Sequence, residues 1–269
     1  MLTPLVKVAT ETKAENTVLR FFAFMNSSSP IESSTFERGT LWICATPIGN
    51  LDDVSLRLLA TLRECDAILA EDTRQTGKLL ARHEISKPMI SCHAHTSPAK
   101  IAALVERLAE GESFALVTDA GTPGVSDPGP PLVAAAAERE IVVSPIPGPC
   151  ALAAAISVSG FDAQKFSFLG FLPRKPGKRR SAWERGVKRE ETLVVYESPY
   201  RVVAALDDLA TIAPGIAVCA CREISKKFEE VRRGTVEEVR DSFAARKEIK
   251  GEFVLVVAAT KTAHTEDDD

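Results

Sequence analysis

Phe114-Ala-Leu-Val117 runs into Thr118-Asp-Ala-Gly-Thr-Pro-Gly-Val-Ser-Asp-Pro-Gly129, and the chain leaves that loop through Pro131–Glu138. This stretch decides the fold. Four apolar residues closed by a loop read as a short buried strand, and Pro131–Glu138 reads as the helix that follows it. The glycines of the loop let backbone approach a ligand closely, while its prolines set the loop shape in advance.

The same unit repeats upstream. Leu41–Ala45 is an apolar run closed by Pro47 and Gly49, and Ser55–Cys65 carries Leu56, Leu58, Leu59 and Leu62 at helical spacing. Ala67–Ala70 and Met89–Ser91 read as further strands, followed by helices over Gln75–Arg82 and Pro98–Glu110. Downstream, Ile141–Ser144 is a strand that enters Pro145–Pro149 and then the small-residue helix Cys150–Ser159. Short buried strands alternating with helices predict a mostly parallel, helix-covered sheet. Past Gly160 the strands Phe166–Gly170, Leu193–Tyr196, Ile216–Cys221, Phe228–Arg233 and Phe253–Val257 follow one another more directly, with helices over Arg179–Lys188, Tyr200–Ile212 and Val236–Arg246. That pattern predicts a mixed sheet. The fold class is therefore α/β, with domains expected over residues 40–159 and 160–259. Residues 1–39, rich in serine near Ser27–Ser29, read as a disordered leader, with Met25 as a candidate start and residues 1–24 dispensable. Residues 260–269 read as an acidic tail.

Composition narrows the classes of function. In 269 residues, 45% are hydrophobic and 26% charged, which suits a globular protein of two α/β domains or one large one. No stretch reaches the ~20 apolar residues of a membrane span, so a soluble, cytoplasmic protein is expected. A formal net charge of -4 argues against nucleic-acid binding over the whole surface, though not against a local basic patch. The six cysteines are scattered through apolar segments without a C-x-x-C pair, and read as buried thiols in a reducing compartment. Cys219 and Cys221 alternate along one strand and should face the same side. Cys92, His93 and His95 lack a second ligand pair, so no metal is expected.

Four unusual loops fall at strand ends: Ala45–Asp52, Glu71–Arg74, Thr118–Gly129 and Pro145–Pro149. Open α/β sheets bind ligands beyond the carboxyl ends of their strands, and four such loops on one edge favour a ligand site over simple tight turns. Asp119 and Asp127 would serve there as acceptors. The chain has no G-x-G-x-x-G after its first strand, no phosphate-binding G-x-x-x-x-G-K-[ST], no H-E-x-x-H and no G-x-S-x-G. The common nucleotide-binding and hydrolase readings are thereby removed.

Taken in order, Ala45–Asp52 (ATPIGNLD), Ala70–Arg74 (AEDTR), Asp119–Gly129 (DAGTPGVSDPG) and Pro145–Cys150 (PIPGPC) resemble the tetrapyrrole-methylase superfamily of S-adenosylmethionine enzymes. Within it they resemble the 16S ribosomal RNA cytidine-2'-O-methyltransferases of the small subunit. The likeness continues through Gly170–Pro173 (GFLP), Tyr196–Ser198 (YES) with Arg201, Arg222–Glu223 with Lys226 and Glu229, and Lys250–Glu252 (KGE). It spans about Leu41 to Val257. It implies two α/β domains with S-adenosyl-L-methionine in the cleft between them, and a homodimer acting on 16S rRNA or the small ribosomal subunit. By position it sets Pro47, Gly49, Asp119, Gly121, Thr122, Ser126 and Pro149 against the methyl donor, with Ala151 and Leu172 closing over it. The chain departs from the pattern in having Thr96 after His95 where the family has Asn, and in its acidic tail where relatives carry a small helical extension.

Methyl transfer to a ribose hydroxyl requires the oxygen near attack distance, and a group to take its proton or stabilise the developing alkoxide. The candidates are Lys226, Glu197 and Glu229. Lys226 serves as base if burial lowers its pKa, as a cation beside the alkoxide, or only as a contact to phosphate or solvent. Glu197 is expected to partner Arg201 or Arg222 more than to act as base. For RNA, Arg174, Lys178, Arg179 and Arg180 head a basic segment that borders the expected cleft. Arg74 either meets phosphate or pairs internally. Two alternatives remain at this point: a tetrapyrrole (precorrin-type) C-methyltransferase, and a non-catalytic RNA-binding module of the same fold.

Overall fold

Strand β4 (Phe114–Val117) is buried at every position, as its unbroken apolar run requires, and so is β2 (Ala67–Ala70). A computed structural model describes residues 39–260; the expected leader and acidic tail, Gly39 and Thr260 aside, lie outside the described residues. Around β4 the first half places β1 (Leu41–Cys44), α1 (Leu56–Glu64), β2, α2 (Thr73–Arg82), β3 (Met89–Ser91) and α3 (Pro98–Ala109). After β4 come α4 (Pro130–Glu138), β5 (Val143–Ile146) and α5 (Ala151–Ser159). The strands form a wholly parallel sheet in the order β3-β2-β4-β1-β5. Side chains stop the helices from fraying at their starts: Ser55 Oγ accepts from the Leu58 N–H and Ser97 Oγ from the Lys100 N–H.

The second half comprises β6 (Phe166–Phe171), α6 (Pro176–Val187), β7 (Thr192–Glu197), α7 (Val202–Ile212), β8 (Ala217–Arg222), β9 (Glu230–Thr235), α8 (Val236–Ala244) and β10 (Phe253–Val257). Its sheet has the order β6-β7-β10-β8-β9, parallel between β6 and β7 and antiparallel elsewhere, the mixed sheet predicted from sequence. Alternate residues serve opposite faces. Val195, Ala220 and Leu255 join Trp183, Leu206, Leu209 and Phe243 in a core under α6, α7 and α8. Val194, Cys219, Cys221, Val254 and Val256 face the other way, against Ala155 of α5. The small side chains of α5 thus let it leave the first sheet and pack closely on the second. Cys219 and Cys221 do share a face, with their Sγ atoms 3.8 Å apart and unbonded.

Two strands end where the apolar pattern did not place them. β5 continues through Pro145 to Ile146 because it is an edge strand paired only with β1, where the missing proline N–H breaks no ladder. β9, the opposite edge, starts two residues after Phe228; its polar side chains gave no apolar signal, and Phe228 stands exposed in the preceding turn.

Helix α6 corrects the expected basic face at one position. Arg179 is buried, with its Nε 2.7 Å from Oδ2 of Asp208 on α7, while Arg180 approaches the other carboxylate oxygen from a half-exposed position. Arg179 therefore locks α6 to α7 and does not offer its guanidinium to a ligand. Removing one partner of a buried ion pair leaves a charge without compensation, at a cost of roughly 3–5 kcal/mol. With Arg180 still near Asp208, Arg179→Met is expected to lower the unfolding free energy by about 2–3 kcal/mol in urea titration. An unchanged midpoint would remove the pair from the forces holding the two helices.

Candidate active site

β1 and β4 are neighbours at the centre of the first sheet, so the loops leaving their carboxyl ends meet. Thr46 and Gly121 exchange both backbone hydrogen bonds, at 2.8 and 3.1 Å. The Thr46 hydroxyl donates to the Thr118 carbonyl, and that of Thr122 to the Pro149 carbonyl at 3.1 Å. Three of the four loops are thus tied into one edge. The fourth joins through acids: Asp119 Oδ1 accepts from the Asp72 N–H, and Glu71 accepts from the Asp119 N–H. Gly121 has φ of 80°, a conformation that glycine adopts without strain.

A cavity of about 320 Å³ opens beside this edge. Gly121, Thr122, Ser126, Asp127 and Ala151 form one wall, and Phe171, Tyr196, Glu197, Lys226 and Glu252 face them from the second half. Direct contacts hold the walls in register. A Cβ on Gly49 would come within 2.4 Å of Lys226 Cγ, and one on Gly170 within 3.3 Å of Ser126 Oγ. The Tyr196 hydroxyl accepts the Leu152 N–H at the start of α5.

Of the residues expected against the donor, Gly121, Thr122, Ser126 and Ala151 line this cavity, whereas Pro47, Gly49, Asp119, Pro149 and Leu172 are not on its wall. Gly49 instead gives room to the Lys226 stem, and Pro149 receives the Thr122 hydroxyl. Leu172 is a correction. Its side chain lies in the core of the second half, its carbonyl accepts from Arg201 Nη1, and the neighbouring Phe171 takes the place at the cavity.

The charged groups divide by role. Glu197 is fully buried; its Oε1 takes Arg201 Nη2 at 2.6 Å and the Ser198 N–H, while Oε2 has no protein partner. The expected pairing with Arg201 is present, yet Oε2 is buried without a protein partner, on a residue that lines the cavity. Lys226 Nζ holds Glu223 at 2.9 Å and Glu252 at 2.8 Å. Desolvation works to lower its pKa, but the hydrogen bonds it donates to Glu252 and Glu223 outweigh it and the pKa rises. Lys226 is thus a cation, and the lowered-pKa base is set aside. Glu229 does not reach the cavity: it is exposed and caps its own turn by accepting the Ser225 N–H.

Three of the six non-glycine residues with positive φ among the described residues lie beside this cavity. Ser126, Glu223 and Ser225 all have positive φ, at 65°, 52° and 62°, without being glycine. Such conformations cost energy and persist where the surroundings over-determine them. Here they aim the Thr118–Gly129 loop and the β8–β9 turn that carries Lys226.

On the outer face Arg174, Lys178 and Arg180 are exposed, and Lys178 with Ser181 and Arg185 lines a shallow groove. Arg74 resolves toward internal pairing: it forks onto Asp72, whose carboxyl is lowered to about 2 chiefly by that hydrogen bond. Thr96, in the family's Asn position, accepts the His93 N–H and closes the turn after β3.

Asp127, half-buried at the cavity, has its carboxyl raised to about 6, first by desolvation and then by Glu71. Its folded pKa lies above the ordinary value, so its contribution to stability is full at low pH and is lost as pH rises through about 6. Ionised Asp127 therefore weakens the fold at neutral pH, by about 1–2 kcal/mol after allowance for solvent screening. Asp127→Asn is expected to raise Tm at pH 8 and to leave it nearly unchanged at pH 4, read by calorimetry at both values. An equal gain at the two pH values would refute the assignment.

Residues 40–240 match the family model of Tetrapyrrole (Corrin/Porphyrin) Methylases. Among curated proteins, ribosomal RNA small subunit methyltransferase I of Halalkalibacterium halodurans is 46% identical over 221 residues, covering 82% of this chain and 76% of its own length. The protein of the same name from Xylella fastidiosa is 48% identical over 222 residues, covering 81% of each chain. Among solved structures, a cobalt precorrin-4 methyltransferase superposes with a TM-score of 0.62 at 14% identity, covering 82% of this chain and 95% of its own. Diphthine synthase gives 0.61 at 13% identity, over 81% and 89%. These two show the fold. The chain belongs to the tetrapyrrole methylase family of S-adenosylmethionine-dependent methyltransferases, on the branch whose curated members are named ribosomal RNA small subunit methyltransferase I.

Proposed function

We propose that this chain methylates 16S ribosomal RNA of the small subunit, at the 2'-hydroxyl of a cytidine. Methylation of small-subunit rRNA follows the names of its relatives; the cytidine and the ribose oxygen follow the sequence resemblance. The reading rests most on one feature, a buried carboxylate oxygen, Glu197 Oε2, left without a protein partner on a residue that lines the same cavity as Lys226.

The cavity suits S-adenosylmethionine. Its volume lies in the range of small-molecule sites, Ile48, Val125 and Phe171 supply apolar wall, and the Asp127 and Glu252 carboxylates favour a cationic ligand. Gly121 and Thr122 would lie along the bound molecule, with Ser126 and Ala151 beside them. When bound, it supplies an electrophilic methyl group on a positively charged sulfur.

The remaining work falls to the second half of the chain. Glu197, held through Oε1 by Arg201, would take the hydroxyl proton on its unpartnered Oε2 as the O–C bond forms and the donor's methyl–sulfur bond breaks, leaving a neutral thioether. Lys226 places positive charge near the oxygen before its proton has fully left, and Glu223 and Glu252 hold that charge in position. The rigid loops of the first half limit how far the reacting groups can drift apart. Arg174, Lys178 and Arg180 would meet RNA phosphates on the adjoining face. A cytoplasmic homodimer completes the proposal; sedimentation at the mass of one chain would overturn the dimer.

Unmodified small subunits incubated with labelled donor should gain one methyl group, which nuclease mapping should locate on a cytidine ribose. A methyl on a base atom would overturn the mechanism. Lys226→Met and Glu197→Gln should each lower kcat by about 10²-fold, with donor affinity retained. Arg180→Glu should weaken RNA binding and flatten its dependence on salt.

A further inference from the structure

Tyr200 is 93% exposed, the most exposed of the large apolar side chains among the described residues. It sits in the turn between β7 and α7, immediately after Ser198 and Pro199, both of which line the cavity. That turn is pinned. Glu197 accepts the Ser198 N–H, Arg201 pairs with Glu197 and donates to the Leu172 carbonyl, and the N–H groups of Arg201 and Val202 both reach the Ser198 carbonyl. A ring left in water on a floppy loop means little, but one on a turn this rigid is already ordered for contact.

A second ring stands in the other turn that borders the cavity. Phe228 is 65% exposed in the β8–β9 turn, two residues after Lys226, and the Lys227 ammonium lies 5.6 Å from its centroid. This turn is also fixed, by Lys226 N–H to the Glu223 carbonyl, Glu229 N–H to the Lys226 carbonyl and Ser225 N–H to the Glu229 carboxylate. Neither ring lines the cavity itself, so neither is needed to enclose the methyl donor.

Exposed aromatic rings on two rigid turns bordering the cavity, one of them with a cation beside it, match the way unpaired RNA is held. Splayed bases stack on the rings while the cations meet the backbone. We propose that Tyr200 and Phe228 stack on unpaired nucleobases next to the methylated nucleotide, so that the substrate is a single-stranded segment and the rings set its register. This inference rests on the proposed RNA substrate and adds the residues that position the strand.

The test uses the full-length enzyme with unmodified small subunits, and with a fluorescent single-stranded oligonucleotide of the mapped segment. Tyr200→Ala and Phe228→Ala should each raise the KM for RNA about five- to a hundred-fold, the range set by loss of one stacked base. Tyr200→Trp should keep wild-type KM. Donor affinity by calorimetry should stay unchanged, and so should the salt slope of RNA binding, because stacking releases no counterions. If the wild type methylates the RNA and Tyr200→Ala does so with the same KM, the stacking role is overturned while the RNA substrate stands. If the wild type accepts no RNA, both fall. A Tyr200→Ala protein whose sedimentation changes instead would put the ring between copies of the chain and likewise overturn the proposal.

Discussion

The reciprocal hydrogen bonds between Thr46 and Gly121 are the constraint on which the site depends. They are possible only because β1 and β4 are adjacent, parallel and central, so that their carboxyl ends deliver two loops to one point. Once that bridge forms, Thr122 can reach Pro149 and the loop after β5 is drawn in. The edge becomes a rigid wall. Each carbonyl and N–H engaged in holding it is one fewer buried polar group left to destabilise the fold.

A rigid wall needs an opposing one, and α5 supplies the connection. Its alanines are small enough to let the second sheet approach, and the same helix begins where the Pro145–Pro149 loop ends. Gly49 then allows contact where a side chain would collide with the Lys226 stem, and Gly170 stands close against the Ser126 hydroxyl. The cavity between the two walls is a consequence of those three close approaches. It follows that the Lys226 ammonium is positioned by first-half backbone as much as by its own carboxylate partners, since the Gly49 turn packs against its stem.

Much of this was legible before any coordinates. β2 and β4 are short unbroken apolar runs, as fully buried parallel strands require, and they fall where the pattern puts them, as does the antiparallel but equally buried β10. The glycine-proline loops announced the edge that lines the cavity. What failed did so for definite reasons. Leu172 and Phe171 differ by one residue at the end of β6, and a single step of parity sends one side chain into the core and the next to the cavity. Arg179 belongs to a run of basic residues, and nothing in that run shows that Asp208, 29 positions away, will bury it. Edge strand β9 carries a single large apolar side chain, Val231, so its start could not be read from an apolar alternation.

The two turns of the second half raise a question that the fold alone does not require. Glu223 and Ser225 hold left-handed backbone conformations without being glycine, and Gly251 leaves the space that Glu223 then occupies. A hairpin between β8 and β9 could be closed with less strain by glycine at those positions. The strain is retained where it fixes Glu223 against Lys226 and directs Lys227 and Phe228 outward on the same turn. On the facing turn, Arg201 holds Glu197 on its inner side and Tyr200 stands on its outer side. Each turn thus carries a charged group toward the cavity and an aromatic ring toward solvent. The proposed RNA segment, entering at one nucleotide and continuing past it on both sides, would meet both outward rings.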